Sequence, residues 1–482
     1  MVKNVILITV DCLRADHLSC YGYYRKTSPY LDELAEKGIL FTQAFSNGPW
    51  TPLSFPSILT STYPLQYSPF DYHLSPKRLM LSEVLKQNGY LTGAFHSNPY
   101  LSNFYGYNRG FDIFYDSIFT EERIKVRSSF QFLTKVKTKL ERSLGQQNFI
   151  YRLLYRVGGE IIKKEPKWRK IKRAKRLREI DEKIIESAST INTKVISWLK
   201  DVKEPFFLWV HYMDVRMGYL PPEKCLEYYT HFSSSLPNKA RIRELSEKVY
   251  RTLYAAKERF SDDEIKLLID LYDAEVRYVD EHIKLLLDNA RKMRLLDETL
   301  VIITADHGDE FLEHGDIGHH SKLYDELLHV PLIIYAPELD KNIVIDDLVS
   351  LLDLAPTILD ILNIKKPEQW VGESLLTLIE GKRTRENMGV ISEALVYGRR
   401  RIAYRTKKWK LIVDEGKNTY ELYNLEEDPK ELNNVAEEYP NLVEEFSLKI
   451  RKHILMEEKT KEDVEKDMIK RTIKNLKAKS KI

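Results

Sequence analysis

Cysteine is scarce in this sequence, which has 482 residues and three cysteines, Cys12, Cys20 and Cys225. Three cysteines are too few for the disulfide framework that stabilises many secreted domains. The first apolar run, residues 5–10, ends at Asp11 and is too short for the apolar core of a secretory signal. Together, these features predict a cytoplasmic protein with reduced thiols.

A large excess of charge and a long apolar stretch are also missing. The 75 basic residues nearly balance the 72 acidic ones, and the net charge of +3 gives no argument for a nucleic-acid partner. No stretch approaches the roughly 20 apolar residues of a membrane-spanning helix. With 43% hydrophobic and 30% charged residues, the composition is typical of a globular protein.

Short apolar runs alternate with amphipathic segments along much of the chain. Four of the runs predict strands that are buried on both faces: "NVILITVD", "PFFLWVHYMD", "TLVIITADHGDEF" and "HVPLIIYAP". Segments such as "SPYLDELAEKGILF" predict the helices between them. This alternation predicts an α/β fold with a central, mainly parallel sheet and helices on both faces. A hairpin pattern near the C-terminus predicts a small antiparallel subdomain.

Acidic residues follow two of the predicted strands. Asp11 ends the first strand, and the pair Asp306 and His307 ends another; in open α/β sheets, functional groups gather at such ends. A single Asp at a strand end is more simply a helix cap. However, four of the twelve histidines lie between His307 and His320, together with four acidic residues. Two carboxylates and an imidazole would suit one divalent cation: Mn²⁺, Zn²⁺, Ca²⁺ or Mg²⁺.

The segment "GPWTPLSFPSILTSTYP", residues 48–64, carries six serine and threonine hydroxyls. It predicts a helix that begins at Trp50 or Thr51, with Pro52 in its first turn. A hydroxyl at that point lies at the positive end of the helix dipole, and a nearby cation can activate it as a nucleophile. Thr51 is therefore a candidate nucleophile. Without a metal, a role as helix N-cap would be the simpler interpretation.

These motifs resemble the sulfatase branch of the alkaline phosphatase superfamily. The resemblance covers about residues 3–455 and also includes "VSLLDLAPTILDIL", "YRTKKWKLI" and "YELYNLEEDP". It implies an alkaline-phosphatase-like fold, a hydrolase that acts on ester bonds and a site for one divalent metal. The implied ligands are Asp11, Asp306, His307 and Thr51. Many relatives have a second carboxylate after the first ligand, but here that position is Cys12, which we interpret as a non-ligand.

The resemblance also bears on the nucleophile. Sulfatases carry Cys or Ser in the motif C/S-x-P-x-R, which is oxidised to formylglycine. "SFPSI" resembles that motif from Ser54, but Ile58 stands where the Arg should be. In the family, the nucleophile lies nine positions before the Thr of an "LTG"-like triplet, and counting back from Thr60 gives Thr51. Formylglycine is therefore not expected, and threonine implies relatives that act on phosphodiesters, phosphonate monoesters or phosphoglycerol headgroups.

Two further motifs match the family with departures. "HYMDVRMGYLPP" keeps His211, but Arg216 replaces the second histidine of the pattern. An arginine there can pair with an anionic oxygen, although it cannot act as a general acid at neutral pH. We assign catalytic support to both residues. Arg14, just past the first ligand, either steadies that ligand or forms an ion pair on the surface, and the surface pair is the favoured interpretation.

A basic residue that binds the leaving oxygen is implied in "GHHSKLYDE". His319 fits this role best, and His320 and Lys322 are competitors that are assigned to substrate binding. His314 is assigned there as well. For His320 and His314, a solvated loop position is an equally good interpretation.

Three parts of the chain are predicted. A sulfatase-like catalytic domain spans residues 1–395, with helical insertions at about 120–200 and 225–295. A small C-terminal α+β subdomain spans 396–455, and a charged helical tail spans 456–482. The first insertion contains the basic stretch "KKEPKWRKIKRAKRLREIDEK". Contact of this stretch with anionic lipid through Trp168 is an alternative, but a solvated helix is the favoured interpretation.

The implied reaction is attack by Thr51 on an anionic ester, either a small molecule or a lipid headgroup, through a covalent intermediate. Release by water would make the protein a hydrolase, and release by an alcohol would make it a phosphoglycerol-type transferase. A true sulfatase is the main alternative within the enzymes. Outside them, the alternative is a protein that binds an anion or a metal without turnover.

Overall fold

The computed structural model of the chain describes residues 2–479 apart from 68–72, 118–166, 227–237, 256, 320, 340–341, 383, 386–387 and 397–398. Among the described residues, no helix combines the length and the apolar character that crossing a bilayer requires. The candidate substrate-binding residue His320 and most of the predicted first insertion lie outside the described residues.

An eight-stranded sheet forms the centre of the molecule. Its strands, in spatial order, are β11 (Ile343–Ile345), β2 (Ile39–Phe41), β10 (Leu332–Tyr335), β7 (Thr299–Ala305), β1 (Asn4–Val10), β6 (Phe206–Tyr212), β4 (Leu91–Phe95) and β5 (Ile113–Tyr115). β10 is antiparallel to both of its neighbours, and every other pair in the sheet is parallel. The predicted mainly parallel sheet is confirmed.

The middle strands are apolar because they are covered on both sides. Every residue of β1, β6 and β7 is buried, as expected for a parallel sheet between layers of helices. Two pairs of two-residue strands complete the main part: β3 (Ala44–Phe45) with β12 (Val349–Ser350), and β8 (Glu310–Phe311) with β9 (Ile317–Gly318). The last of these belongs to the histidine-rich loop that follows β7.

Helices accompany the strands throughout the described parts of the chain. The described α-helices are α1 (Pro29–Lys37), α2 (Thr51–Thr60), α3 (Leu81–Gln87), α4 (Lys167–Ile184), α5 (Ala188–Asp201), α6 (Glu223–Leu226), α7 (Lys239–Tyr254), α8 (Asp262–Lys292), α9 (Asp325–Leu328), α10 (Leu354–Ile361), α11 (Leu376–Ile379) and α12 (Pro440–Lys479). Short 3₁₀ turns occupy Ala15–His17, Ser19–Tyr21, Pro99–Leu101, Asn103–Tyr105, Leu296–Glu298, Pro337–Leu339 and Leu351–Asp353.

The longest of the helices in the second predicted insertion is α8. Ser261 caps its N-terminus, and Ser261 and Glu264 form a capping box, which fixes the point where the helix begins. In the first insertion, the described part consists of α4 and α5. Trp168 of α4 is 62% exposed, and its contact with anionic lipid stays a prediction.

A second sheet lies near the C-terminus. It is antiparallel and contains β13 (Val390–Val396), β14 (Arg399–Arg405), β15 (Trp409–Asp414) and β16 (Thr419–Asn424), which confirms the predicted antiparallel subdomain. The sheet begins before the predicted boundary at residue 396. Helix α12 packs on it through Phe446 and Ile450, which share an apolar cluster with the strands.

Candidate active site

Thr51 is the first residue of α2. The N-cap is Trp50, which has extended backbone angles and no side-chain capping bond, so Thr51 does not serve as the cap. The Thr51 side chain is buried, and its Oγ1 lies 3.5 Å from Oδ2 of Asp11 and 3.4 Å from Nε2 of His307. The hydroxyl at the helix start therefore reaches the group of acidic and imidazole side chains at the strand ends.

The register of the parallel strands brings those side chains together. β1 pairs with β7 so that Val10 lies opposite Ala305, and Asp11 and Asp306 follow directly on the two neighbouring strands. The backbone N–H of Cys12 donates to Oδ1 of Asp306 over 3.3 Å, which ties the two strand ends to each other. Two carboxylates that are 295 positions apart in the sequence thus share one end of the sheet.

Asp11, Asp306 and His307 form a group whose ligand atoms all lie within 4.8 Å of one another, and all three residues are buried. Among the described residues, Oδ2 of Asp306 is buried and has no hydrogen-bond partner, and Nε2 of His307 lies 3.3 Å from it. A buried oxygen without a partner is costly unless a cation or a donor satisfies it. The donor set of two carboxylates and one imidazole fits a divalent cation.

The charges of the group shift the pKa values of its carboxyls. Burial opposes ionisation of Asp11, but the hydrogen bond with His211 and the charge of His307 lower its pKa below the usual range. Burial and the neighbouring Asp11 charge raise the pKa of Asp306 well above its usual range. The pKa of one carboxyl is thus lowered and that of the other raised, as expected for two buried carboxyls that lie close together.

His307 is oriented so that one nitrogen faces the group. Its Nδ1 donates to the carbonyl of Gly308 over 3.0 Å, which leaves Nε2 directed to Thr51. Burial lowers the pKa of His307 and keeps the ring neutral, the form that binds metals.

His319, the predicted leaving-group residue, lies beside His307 with 4.3 Å between the ring centroids. Its Nδ1 lies 2.6 Å from Oδ1 of Asp309, and the hydroxyl of Tyr219 donates to Oδ2 of Asp309 over 2.9 Å. Burial, reinforced by the charge of His307, lowers the pKa of His319 well below its usual value. Burial raises the pKa of Asp309 to about 7. The imidazole and the carboxyl form a buried pair that can hold a proton.

Asn98 is a site residue that the sequence interpretation missed. Its amide Nδ2 donates to Oδ2 of Asp11 over 2.9 Å and lies 3.5 Å from both Oγ1 of Thr51 and Nε2 of His211. A signal was present, because Asn98 follows the carboxyl end of β4, the same edge of the sheet at which the other site residues lie. The amide therefore places a donor beside both the first carboxylate and the Thr51 hydroxyl.

The two predicted supporting residues, His211 and Arg216, lie in different parts of the site. Nε2 of His211 lies 3.4 Å from Oδ2 of Asp11, so this histidine borders the first carboxylate. Nη1 of Arg216 lies 3.0 Å from Oδ2 of Asp181 in α4, which also accepts a hydrogen bond from the hydroxyl of Tyr250. Arg216 is held at the wall of the site, and its charge contributes to the low pKa of Asp11.

Two protein-family models match the chain. The model described as Sulfatase matches residues 3–364, and the model described as N-sulphoglucosamine sulphohydrolase, C-terminal, matches residues 313–460. The chain belongs to the sulfatase family. This sulfatase-family chain is 34% identical to arylsulfatase K of Mus musculus over 171 residues, which covers 33% of this chain and only 31% of that protein.

Longer matches are more distant. An uncharacterized sulfatase, YidJ of Escherichia coli (strain K12), is 24% identical over 477 residues and covers 90% of this chain and 83% of its own. A protein solved in complex with its substrate D-glucosamine-2-N,6-O-disulfate has a TM-score of 0.70 at 18% identity, covering 95% of this chain and 99% of its own. The phosphonate monoester hydrolase of Agrobacterium radiobacter has a TM-score of 0.70 at 19% identity, covering 94% and 96%. These two structures share the fold.

Two predicted substrate-binding residues of the sulfatase-family chain lie in a separate cluster. Nζ of Lys322 donates to both carboxylate oxygens of Glu310, over 2.8 and 2.9 Å, and to the carbonyl of His314. Nδ1 of His314 lies 2.6 Å from Oε1 of Glu326, and its ring stacks on Tyr324. Both side chains are engaged within the loop after β7, and their contact with substrate stays a prediction.

Arg14 forms the expected ion pairs, but the expectation that it lies on the surface is wrong. The Arg14 side chain is buried, because its guanidinium spans from the carboxylates of Asp16 and Glu313 to the carbonyl of Asp309. Five fixed donors make arginine well suited to such bridging. Arg14 thereby holds the loop that carries Asp309 against the strand end that carries Asp11.

Proposed function

We propose that the chain is a metal-dependent hydrolase that cleaves a phosphate diester or a phosphonate monoester through a covalent intermediate on Thr51. The position of the Thr51 hydroxyl carries this proposal, because it lies within 3.5 Å of Asp11 and His307 at the start of a helix. The competing hydroxyl is engaged elsewhere. Oγ of Ser54 donates to the carbonyl of Thr51 over 3.3 Å, back into its own helix.

Asp11, Asp306 and His307 are the residues that would hold the cation. When bound, a divalent cation supplies Lewis-acid polarisation of the substrate oxygen and favours the ionised form of a nearby hydroxyl. The chain itself contributes the direction of attack, since the first turn of α2 fixes the Thr51 side chain. The backbone N–H groups at that helix end favour a negative charge on the substrate.

In the first step, Oγ1 of Thr51 gives its proton to the solvent and forms a bond to phosphorus as the bond from phosphorus to the leaving oxygen breaks. The leaving oxygen takes the proton that the buried pair of His319 and Asp309 holds. Asn98 donates a hydrogen bond at the same edge of the site and can stabilise a non-bridging oxygen. In the second step, water attacks phosphorus and returns a proton to the pair of His319 and Asp309. The bond to Thr51 breaks, and Oγ1 takes a proton from the solvent to restore the free hydroxyl.

A panel of nitrophenyl esters tests the proposal directly. The purified protein, loaded in turn with Mn²⁺, Zn²⁺, Ca²⁺ or Mg²⁺, is assayed with bis(4-nitrophenyl) phosphate, 4-nitrophenyl phenylphosphonate and 4-nitrophenyl sulfate. We expect the highest kcat/KM with one of the two phosphorus esters. Acid quenching during turnover, followed by peptide mass spectrometry, should place a phosphoryl or phosphonyl group on Thr51. A preference for the sulfate ester, or an adduct on Ser54, would overturn the proposal.

Sulfate-ester hydrolysis is the second candidate, because the curated relatives include arylsulfatase K of Mus musculus and the uncharacterized sulfatase YidJ of Escherichia coli. It requires an activated nucleophile other than Thr51, and formylglycine at Ser54 would be one, although Ile58 replaces the arginine of that motif. The intact mass of the segment that carries residues 48–64 separates the two cases. An unmodified mass supports the phosphorus ester, and a mass shift to an aldehyde at Ser54 supports the sulfatase.

A transferase and a binding protein are separated from the hydrolase by two further measurements. Product analysis in the presence of glycerol distinguishes transfer to an alcohol from release by water. Chelation followed by metal addition distinguishes an enzyme, which loses and regains turnover, from a binding protein, which changes only in thermal stability.

A further inference from the structure

Cys12 has an unusual backbone conformation. Its φ of 62° lies in the left-handed region, which costs about 1 kcal/mol or more for a residue with a β-carbon. Surrounding bonds hold it there: the Tyr272 hydroxyl donates to the carbonyl of Cys12 over 2.8 Å, and the N–H of Cys12 donates to Asp306. In this conformation, the thiol of Cys12 lies inside the site, beside Asp11 and His319.

The surroundings of the thiol are polar. Sγ of Cys12 lies 2.8 Å from Oδ1 of Asp11 and 3.5 Å from Nδ1 of His319. A cysteine that only fills space is normally packed among apolar side chains. Here a fully buried thiol faces a carboxylate and an imidazole, so its position calls for a chemical role.

The thiol also belongs to a group of metal-binding type. The ligand atoms of Cys12, His307 and His319 all lie within 4.8 Å of one another, and all three residues are buried. His307 is shared with the group of Asp11 and Asp306, and its Nε2 can bind one cation only. The Cys12 sulfur therefore adjoins the same centre through the shared His307, whereas His319 keeps its contact with Asp309 and is not counted as a ligand. The buried Oδ2 of Asp306, which lacks a hydrogen-bond partner among the described residues, is an independent sign of a cation there.

We propose that Cys12 supplies a sulfur ligand to this cation and gives the centre a preference for Zn²⁺ over Ca²⁺ and Mg²⁺. Thiolate is a soft ligand that Zn²⁺ accepts readily, whereas Ca²⁺ and Mg²⁺ bind oxygen donors. On binding, the S–H bond of Cys12 is replaced by a sulfur–metal bond, and the proton passes to the solvent. This ligand role rests on the metal centre of the proposed function, and it does not depend on the substrate.

Cobalt substitution provides a readout that is independent of activity. Co²⁺ bound to a thiolate shows a charge-transfer absorption in the near ultraviolet that oxygen and nitrogen ligands do not produce. We expect this band in the Co²⁺-loaded wild-type protein and its loss in Cys12→Ser. Cys225→Ser is the matched control, because Cys225 is equally buried but belongs to α6, and it should leave the band unchanged.

Competition between metals tests the preference itself. Wild-type protein and Cys12→Asp are dialysed against equal concentrations of Zn²⁺ and Ca²⁺, and the bound metals are measured by elemental analysis. We expect the ratio of bound zinc to calcium to fall at least about ten-fold in Cys12→Asp, the lower end of what loss of a metal-site contact costs. The carboxylate keeps a ligand at this position, so the variant also provides a folded comparison if Cys12→Ser is unstable.

The outcomes separate the ligand role from the metal centre. Wild-type protein that binds Co²⁺ without the band overturns the role of Cys12 and leaves the metal centre intact. A band that persists in Cys12→Ser, or an unchanged zinc-to-calcium ratio in Cys12→Asp, also overturns that role. Wild-type protein that takes up no divalent cation under any condition overturns both the ligand role and the proposed function.

Discussion

Oγ1 of Thr51 lies 3.4 Å from Nε2 of His307, although 256 positions separate the two residues in the chain. The hydroxyl belongs to the first turn of α2, and the imidazole belongs to the second residue after the end of β7. Their proximity is what makes Thr51 different from the other five hydroxyls of its segment. This contact predicts that substitution of Thr51 has a much larger effect on turnover than substitution of its neighbours in α2.

Thr51→Ala should lower kcat by about 10³-fold or more, because no other hydroxyl can form the covalent intermediate. Thr51→Ser should keep measurable turnover, since it retains the attacking oxygen. Ser54→Ala is the matched control from the same helix, and it should keep kcat close to that of the wild-type protein. Steady-state kinetics with the best ester of the panel measures all three. Full activity in Thr51→Ala together with its loss in Ser54→Ala would place the nucleophile at Ser54.

His319→Gln should impair the enzyme most with esters that have a poor leaving group. If the pair of His319 and Asp309 protonates the leaving oxygen, an acidic leaving group needs it little and an alkyl alcohol needs it strongly. We expect a loss of about 10²- to 10⁴-fold with an alkyl ester and a much smaller loss with a nitrophenyl ester. Asp309→Asn should show the same dependence of kcat on the leaving group, and its KM should change less than its kcat. Equal losses with both kinds of ester would exclude proton donation by His319.

The contact between His453 and Glu393 should make stability depend on pH. Nε2 of His453 lies 3.0 Å from Oε1 of Glu393, and this contact joins α12 to β13. Burial favours the neutral ring, but the hydrogen bond and the charge of Glu393 raise the pKa of His453 above its usual value. The charged ring is therefore favoured in the folded state. Its contribution is complete below about pH 6.5 and disappears as the pH rises through the raised pKa.

His453→Gln isolates this contribution from the other titrating groups. Glutamine keeps a donor for Glu393 but carries no charge at any pH. We expect the melting temperature of the wild-type protein to exceed that of the variant at pH 6, with the difference shrinking by pH 9. A constant difference between pH 6 and pH 9 would show that the ring is not charged in the folded protein.

Lys410 should be essential for the contact between the second sheet and α9. It is fully buried in β15, and its Nζ lies 2.8 Å from both Oδ1 of Asp325 and Oε1 of Glu431. Lys410→Met leaves the buried Glu431 carboxylate without this cation and Asp325 with Arg405 as its remaining partner, which should lower the free energy of unfolding by about 3 kcal/mol. Lys408→Met, which removes an exposed pair with Glu426, is the control and should leave it nearly unchanged. Denaturant unfolding of both variants makes the comparison, and equal effects would contradict it.

Much of the fold was predictable because its signals are local. The apolar runs of β1, β6 and β7 are continuous, as a strand covered on both faces requires, and the mainly parallel sheet and the family are confirmed. The residues that end these strands were predictable for the same reason. The cytoplasmic location, the division into three parts and the role of each site residue stay predictions.

Other features depend on contacts between distant segments and could not be predicted. Asn98 lies in the site because β4 is the neighbour of β6 in the sheet. The sequence of a single strand does not determine which strand lies next to it. Arg14 is buried because it bridges a loop about 300 positions away. Lys322 and His314 are near the motif in sequence, but the β8–β9 hairpin folds them into a cluster of their own.

The amino-acid sequence alone determined the elements, the chemistry at their ends and the threonine at the start of α2. Those properties follow from local periodicity and from side-chain type, which do not depend on the rest of the chain. Only the tertiary structure decided which donors converge. Burial and the parallel register place Thr51, His307 and Cys12 around one point, where removal of water strengthens each charge and makes a single cation the simplest way to balance them.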